Sequence, residues 1–362
     1  MSAVTPARWP REVGAPTRLL IVDPAAGSWR DALLDDLGRL LQPGDLLVVN
    51  DAGTLPASLP GAARGSAVEI RLAGSPSEAG GLGPWPAVVF GPGSWRQRTE
   101  DRPTPPRLRP GDRVDLGPLA AEVVEVSSLS PRLVSLRFDR EGDALWSALF
   151  GLGRPVQYSY VRDALPLWHV QTPYAGRPMA AEMPSAGRPL RLPLLRALRD
   201  RGVRLARVTH AAGLSSTGDP AIDAALPLPE HSEIPAATAE AVARAKAEGG
   251  RVVAVGTSVV RALESAWDEA EGRMRAGTRT ATLRVAPGYA PRVVDGLLTG
   301  VHEPGESHFD LLQAFAPRPL LEAALAHARS AGYLGHEFGD SSLVLPGRRL
   351  AGREPSLPPP PS

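Results

Sequence analysis

Apolar positions near the start of this chain follow a helical period and then a short buried run. Five leucines between residues 31 and 41 are spaced i, i+3, i+4 and i+7, which predicts an amphipathic helix over that range. Pro43-Gly44 ends it. The apolar run Asp45–Asn50 that follows is too short for a helix, so it predicts a buried strand.

The spacing of apolar residues changes between residues 53 and 150. There it predicts short strands that follow one another without helices between them. Such a series predicts a small barrel or a sandwich, closed here by a helical turn over Asp143–Leu149. The predicted strands are Val68–Leu72, Pro86–Phe90, Arg113–Leu116, Glu122–Val126 and Leu133–Phe138.

Helices and strands alternate from residue 151 onward, which is typical of a mainly parallel sheet with covering helices. We therefore expect an α/β body, residues 1–52 and 151–346, interrupted by an inserted β-rich domain, residues 53–150. The proline-rich end, residues 347–362, is expected to be disordered. The predicted helices are Leu192–Arg201, Ala236–Glu248, Val259–Glu271, His308–Phe315 and Pro319–Ser330, and the strands are Val203–His210, Arg251–Val255, Val293–Leu298 and Ser342–Leu345.

Composition narrows the class of protein. The 362 residues include no cysteine, which excludes a disulfide, a thiolate nucleophile and a Cys-ligated metal centre. The net charge is +1, from 40 basic and 39 acidic residues, without the basic excess of a dedicated nucleic-acid binder. No secretory leader and no apolar stretch of about 18 residues is found, so we expect a soluble cytoplasmic protein.

The strongest local signal is the segment Val252–Ser265, where a strand leads through Gly256-Thr257-Ser258 into a helix. Backbone N–H groups and two hydroxyls at a helix N-terminus bind anionic or polar ligand groups well. Arg261 follows in the first turns of the helix. The alternative is an ordinary strand–turn–helix in which Thr257 or Ser258 is the N-cap.

Two further segments carry groups that can move protons. Glu230-His231-Ser232-Glu233 would place His231 and Glu233 on one face of a strand, or else it is a solvated polar turn. Thr299–Ser307 follows a predicted strand, and in open α/β sheets the strand ends form the ligand crevice. His302 would then lie at the edge of a site, unless this segment is a plain surface loop.

A metal site is the alternative use of these side chains. Zinc or a non-haem metal would suit a set of histidines and carboxylates. Their spacing matches no metal motif, so no metal is predicted. The candidates are His210, His231, Glu233, His302 and His308.

Taken in order, segments along most of the chain resemble the S-adenosylmethionine:tRNA ribosyltransferase-isomerase family of queuosine biosynthesis. No single segment is specific, but the ordered series is. The segments are Arg18–Gly27, Pro43–Asp51, Val170–Gly187, Val208–Gly213, Glu230–Pro235, Ala245–Ala266, Ala286–Ser307, Leu311–Ala316 and Phe338–Leu345.

The resemblance implies an α/β body with an inserted β-barrel. It also implies transfer and isomerisation of the ribosyl moiety of S-adenosylmethionine onto 7-aminomethyl-7-deazaguanine in tRNA, giving epoxyqueuosine with release of adenine and methionine. S-adenosylmethionine is then a co-substrate, and no metal or prosthetic group is expected. The expected partner is the tRNA anticodon stem-loop, for a cytoplasmic monomer that binds no membrane.

Several motif loops depart from the family pattern. The usual Leu-His-Phe is Arg188-Pro189-Leu190, and the usual Phe-Ser-Tyr-Gly-Asp is His336–Asp340. In the loop after Thr299, Glu303, Glu306 and His308 replace uncharged residues of the family pattern. Exchanges of this kind can change substrate discrimination by orders of magnitude. Three interpretations stay open: an enzyme of the family reaction, a paralogue that uses another acceptor, and a non-catalytic adenosyl- or RNA-binding protein.

The resemblance also implies the site residues. His302, His231 and Glu233 are the predicted acid–base groups, and Arg261 is expected to hold a carboxylate or phosphate. The predicted substrate-binding residues are Gln171, Tyr174, Ser185, Gly187, His210, Gly256, Thr257, Ser258, Arg261 and Asp340.

Overall fold

The computed structural model describes residues 3–12, 14–74, 76 and 83–347. The tail predicted to be disordered, residues 347–362, lies outside the described residues except for Gly347. None of the helices in the described part of the chain is both long and apolar enough to cross a membrane.

In chain order, the strands are β1 (Thr5–Pro6), β2 (Arg18–Asp23), β3 (Ser28–Leu33), β4 (Leu46–Asn50), β5 (Gly53–Thr54), β6 (Ser58–Ala63), β7 (Ser66–Leu72), β8 (Trp85–Phe90), β9 (Arg113–Asp115), β10 (Ala120–Val126), β11 (Leu133–Phe138), β12 (Pro178–Ala180), β13 (Arg204–His210), β14 (Glu230–Ile234), β15 (Val252–Val255), β16 (Trp267–Asp268), β17 (Arg273–Met274), β18 (Gly277–Ala281), β19 (Gly296–Gly300), β20 (Leu334–Gly335) and β21 (Ser341–Val344). The α-helices are α1 (Leu37–Leu40), α2 (Gly142–Leu152), α3 (Leu192–Asp200), α4 (Pro220–Ala225), α5 (Ala236–Ala247), α6 (Thr257–Glu264), α7 (Ser307–Leu312) and α8 (Arg318–Ser330).

A mixed sheet forms the body. Within the described residues it has nine strands in the order β18-β14-β13-β4-β15-β19-β21-β2-β3. The strands β13, β4, β15 and β19 run parallel to one another. Next to them β21 pairs antiparallel with β19 and parallel with β2, and β14, β18 and β3 pair antiparallel with their neighbours. The expected α/β class is therefore confirmed, with its parallel part concentrated at the centre of the sheet.

The central strands are apolar because both faces of the sheet are covered. Along β4, Leu46 and Val48 pack into one hydrophobic cluster with α5, α6 and α8, while Leu47 and Val49 pack into a second cluster with α1 and α3. Successive side chains of a strand point to opposite faces, so a doubly covered strand is apolar at every position. The run Asp45–Asn50 is read correctly from the sequence for this reason.

The β-rich segment is a closed antiparallel barrel with the strand order β10-β11-β8-β7-β6-β9. The expected small barrel is confirmed, and α2 packs against its apolar interior through Leu145 and Leu149. Gly61 allows β6 to lie close against β9, because a Cβ at this position would lie 2.5 Å from the carbonyl oxygen of Asp115. The exact limits proposed for the insertion, residues 53–150, stay a prediction.

Two predicted helices are wrong in extent. The range 31–41 contains the end of β3, a short 3-10 turn and the four-residue α1, because β3 pairs with β2 along its whole length as an edge strand. This pairing overrides the local helical pattern. The helix predicted to reach Glu271 ends at Glu264, since Trp267–Asp268 and Arg273–Met274 form a small antiparallel pair instead.

A buried ion pair fixes the start of the two central strands. Asp45 is fully buried and accepts hydrogen bonds from the backbone N–H and the guanidinium of Arg251, with 2.6 Å between Oδ2 and Nη2. Arg251 also donates to the carbonyl oxygens of Leu40 and Pro346. The beginning of β4, the beginning of β15 and the chain after β21 are therefore joined at one point.

Replacing Asp45 with alanine should lower the free energy of unfolding by about 3 kcal/mol, because the mostly buried guanidinium of Arg251 loses its counter-charge. Urea unfolding followed by circular dichroism measures this. Asp163→Ala is the control, since Asp163 pairs with Arg162 at the surface and its loss should cost under about 1 kcal/mol. Equal stability of the two variants would contradict the assignment.

Candidate active site

A cavity of about 720 Å³ lies where the parallel strands β13, β15 and β19 end. Residues 156 and 158–160, which follow the barrel, and parts of the loops after β12 and β20 also line it. The carboxyl ends of strands in open α/β sheets form ligand crevices in this way. The cavity also lies within the usual size range of small-molecule sites.

The Gly256 turn, which consists of Gly256, Thr257 and Ser258, lines the cavity. Gly256 has φ +89°, a conformation that side chains rarely adopt, and its N–H donates to the carbonyl of Leu298 on β19. A Cβ at this position would also lie 3.4 Å from the Cβ of Ala186. The turn brings Thr257, Ser258 and the N-terminus of α6 to the cavity lining, and their contact with a ligand stays a prediction.

Next to this turn, the side chain of Asn50 connects the end of β4 with the end of β13 and with the beginning of α6. Its side-chain amide donates to the carbonyl of His210 (2.9 Å) and to the hydroxyl of Ser258 (3.2 Å). Its Oδ1 accepts from the N–H groups of His210 (3.0 Å) and Ala52 (3.1 Å). Sequence reasoning missed Asn50, although one polar residue at the end of the apolar run Leu46–Asn50 is a signal for it.

A buried triad of His210, Glu230 and Arg261 lies beside Asn50. The Nε2 of His210 is 2.8 Å from Glu230 Oε2, which also accepts from Arg261. Burial, reinforced by the charge of Arg261, lowers the pKa of His210 to about 3. His210 is therefore neutral at physiological pH, and its Nε2–H donates to Glu230.

Arg261 lines the cavity, but protein groups occupy most of its donors. Besides Glu230, it donates to the carbonyl oxygens of Leu283 (3.0 Å), Leu228 (3.3 Å) and Ala281 (3.3 Å). Burial lowers its pKa to about 10, which leaves it charged at neutral pH. The predicted contact of Arg261 with a ligand carboxylate or phosphate stays a prediction.

His302 lies at the edge of the cavity in the loop after β19. Its Nε2 is 2.9 Å from the hydroxyl of Thr299, its Nδ1 is 3.4 Å from the carboxylate of Glu306, and its ring stacks on His308 with 4.9 Å between centroids. Burial lowers the pKa of His308 to about 4. Burial acts to raise the pKa of Glu306, but the contacts with His302, the N–H of Glu303 and His308 together lower that pKa below its ordinary value.

His231 and Glu233 share one face of β14, and the structure does not bring them to His302. Side chains alternate along the strand, so that Glu230 and Ser232 are buried while His231 and Glu233 are partly exposed. Glu230 is the residue of this strand that lines the cavity. Glu233 pairs instead with Arg177, outside the cavity.

Four other predicted binding residues lie around the cavity rather than in its lining. Gln171 holds Thr54 through two hydrogen bonds of 2.9 and 3.0 Å. Gly187 leaves space for Tyr174, since a Cβ there would be 2.0 Å from the tyrosine oxygen. Asp340 accepts from Arg11, from the N–H of Arg18 and from the N–H of Leu334, whereas Ser185 does line the cavity.

Two tyrosine–carboxyl pairs in the cavity were missed. Tyr158 donates to Glu182, and Tyr160 donates to Glu337. Burial raises the pKa of Glu182, and it raises the pKa of Glu337 to about 7. The partners are 24 and 177 residues apart, so local sequence carries no signal for the pairing.

In the part of the chain that the structure describes, no set of side chains is arranged to bind a metal ion. No three His, Cys, Asp or Glu side chains come together there as a metal would require.

Comparison with known proteins agrees with the fold and with the ordered motifs. A family model described as "Queuosine biosynthesis protein" matches residues 2–344. A protein of Sorangium cellulosum named S-adenosylmethionine:tRNA ribosyltransferase-isomerase is 37% identical, with 90% of this chain and 91% of that protein aligned. One of the same name from Heliobacterium modesticaldum is 33% identical, with 94% and 96% aligned.

A solved structure shows a similar fold. The S-adenosylmethionine tRNA ribosyltransferase of Thermotoga maritima superposes with a TM-score of 0.51 at 23% identity, covering 94% of this chain and 96% of that one. This likeness concerns the fold, whereas the family model and the two relatives concern the sequence itself. On these grounds the chain belongs to the queuosine biosynthesis protein family.

Proposed function

We propose that this protein transfers and isomerises the ribosyl moiety of S-adenosylmethionine onto 7-aminomethyl-7-deazaguanine in tRNA. The products are epoxyqueuosine in tRNA, adenine and methionine. One observation carries the proposal: Ser185, the Gly256 turn and His302 come from three separate motifs and line the same cavity. The names of the relatives support the same reaction. We also propose that the protein is a monomer and acts in the cytoplasm.

The Gly256 turn is suited to holding the polar part of a nucleoside. Thr257 and Ser258 offer hydroxyls and helix N-terminal N–H groups. Asn50 fixes the hydroxyl of Ser258, so this donor is oriented before a ligand enters. Preorganised donors of this kind lose little freedom when the ligand binds.

His302 is the proposed proton carrier. Breaking the bond between the ribosyl 5′-carbon and sulfur, and rearranging the sugar, requires C–H protons to be removed and returned. Glu306 lies 3.4 Å from Nδ1 and the hydroxyl of Thr299 lies 2.9 Å from Nε2, so both ring nitrogens of His302 have a polar partner that orients the ring. His308, neutral at neutral pH because burial lowers its pKa to about 4, stacks its ring on that of His302.

A second candidate is ribosyl transfer from the same donor to another acceptor. The titratable groups that follow β19 favour it. Glu303 is bound by Arg329 and by the N–H of Val4, but Glu306 and His308 remain at the cavity. Such groups select the acceptor that satisfies them and reject one that leaves them unpaired.

The purified protein should release adenine from S-adenosylmethionine when an anticodon stem-loop carrying 7-aminomethyl-7-deazaguanine is present. Chromatography of the products measures this, and a stem-loop with guanine at the same position is the control. Release with the modified stem-loop alone supports the proposed reaction. Binding of S-adenosylmethionine without release would contradict it and favour the second candidate.

His302→Ala should reduce turnover by about 10²-fold or more, because general acid–base groups contribute about that much. Single-turnover adenine release is the measurement. His327→Ala is the matched control, since His327 lies on α8 and pairs with Asp31 outside the cavity. If His302→Ala turned over as fast as this control, His302 would not be the proton carrier.

A further inference from the structure

One wall of the cavity is built from two tyrosine–carboxyl pairs that distant segments bring together. Tyr158 and Tyr160 follow the barrel, Glu182 follows β12, and Glu337 follows β20. Each tyrosine hydroxyl donates to one oxygen of its carboxyl group. The proposed reaction assigns no role to these four residues.

These carboxyl groups lack the cationic partners that other carboxylates in this protein have. Among the described residues, no Arg or Lys forms an ion pair with Glu182 or Glu337. Glu230 and Glu303, by contrast, pair with Arg261 and Arg329. A carboxylate in a site of low polarity gains much from a positive partner, so these two are free to receive one from a ligand.

The arrangement of the oxygens supports this. Both hydrogen bonds that Glu182 accepts, from Tyr158 and from the N–H of Ser215, go to Oε1, and Tyr160 donates to Oε2 of Glu337. Among the described residues, no hydrogen bond to the second oxygen of either group is formed, although the side chain of Ser215 lies close enough to Glu182 to lower its pKa. The nearby Arg71 pairs with Glu69, with 2.7 Å between Nε and Oε1, and its guanidinium lies 5.8 Å from the centroid of the Tyr158 ring without forming an ion pair with Glu182.

Aromatic faces lie beside the carboxyl groups. Tyr158 and Tyr160 are nearly parallel, with 6.2 Å between ring centroids, and Tyr160 stacks on His336 at 4.2 Å. The faces of aromatic rings attract organic cations, and this attraction strengthens when water is excluded. Carboxyl oxygens together with ring faces are the surroundings in which ammonium and sulfonium groups bind.

We propose that Glu182, Glu337, Tyr158 and Tyr160 form a subsite for an organic cation of the substrate, either an ammonium or a sulfonium group. The choice of ligands rests on the proposed function. S-adenosylmethionine carries both a sulfonium and an α-ammonium group, and the acceptor base carries an aminomethyl group that is protonated at neutral pH. The subsite distinguishes such ligands from neutral nucleosides of the same size.

The test compares ligands that differ in charge. Calorimetry measures the affinity of wild-type protein, Glu182→Gln, Glu337→Gln and the double variant for four ligands. These are S-adenosylmethionine, S-adenosylhomocysteine (ammonium without sulfonium), 5′-methylthioadenosine (neither) and free 7-aminomethyl-7-deazaguanine. Glu240→Gln, an exposed carboxylate on α5, is the matched control.

The double variant should bind at least one cationic ligand about 10-fold more weakly, as expected when a hydrogen bond to a charged group is lost. Its affinity for 5′-methylthioadenosine should stay within about twofold of the wild type, as should every affinity of Glu240→Gln. Loss for S-adenosylmethionine alone assigns the subsite to the sulfonium. Loss shared with S-adenosylhomocysteine assigns it to the α-ammonium, and loss for the base alone assigns it to the acceptor.

Two results would overturn the subsite while leaving the proposed function intact. One is unchanged affinity of the double variant for all four ligands. The other is an equal loss for 5′-methylthioadenosine in the single and double variants, which indicates a structural role. A wild-type protein that binds neither S-adenosylmethionine nor the acceptor base would instead overturn the proposed function together with the subsite.

Discussion

The geometry of the cavity depends on the hydrogen bonds that the side-chain amide of Asn50 makes. It lies at the end of β4 and makes four hydrogen bonds, two with the backbone of His210, one with the N–H of Ala52 and one with the hydroxyl of Ser258. A buried amide is costly unless it is hydrogen-bonded, so these partners hold one another in place. The ends of β4 and β13 and the beginning of α6 are therefore fixed relative to each other.

The electrostatic layout of the cavity follows from which charges are paired. Glu230 is neutralised by Arg261 next to a neutral His210, and Glu303 is neutralised by Arg329. Within the described residues, Glu182 and Glu337 form no ion pair with an arginine or lysine, and they accept hydrogen bonds from tyrosine hydroxyls and from the N–H of Ser215. A ligand entering the cavity thus meets helix N–H groups at the Gly256 turn and, elsewhere in the lining, carboxyl groups without a cationic partner.

Much of the fold could be predicted because burial leaves a local pattern. Strands covered on both faces, such as Leu46–Asn50, are apolar throughout, and barrel strands such as Leu133–Phe138 alternate. The edge strand Ser28–Leu33 is mostly exposed and lacks that pattern, which is why its end was read as a helix. The Gly256 turn was predictable because a glycine between a strand and a helix is a local signal.

The site was less predictable because it depends on contacts between distant residues. The sequence could place His231 and Glu233 on one face of a strand, but it could not tell which face β14 turns toward the cavity. Glu230, one position away, is on the cavity side. Likewise, nothing local to Glu337 indicates Tyr160 as its partner, 177 residues earlier. Only the packing of the barrel connection against the loop after β20 brings them together.

The central claim is that a single cavity holds the adenosyl substrate. This cavity is lined by the Gly256 turn, by His302 and by the two carboxyl groups of Glu182 and Glu337. A crystal structure of the protein soaked with S-adenosylmethionine tests it most directly. The account predicts density for the adenosyl group in this cavity, within hydrogen-bond distance of Thr257 or Ser258. Density at another place, such as the face that carries Arg177 and Glu233, with this cavity empty, would contradict it.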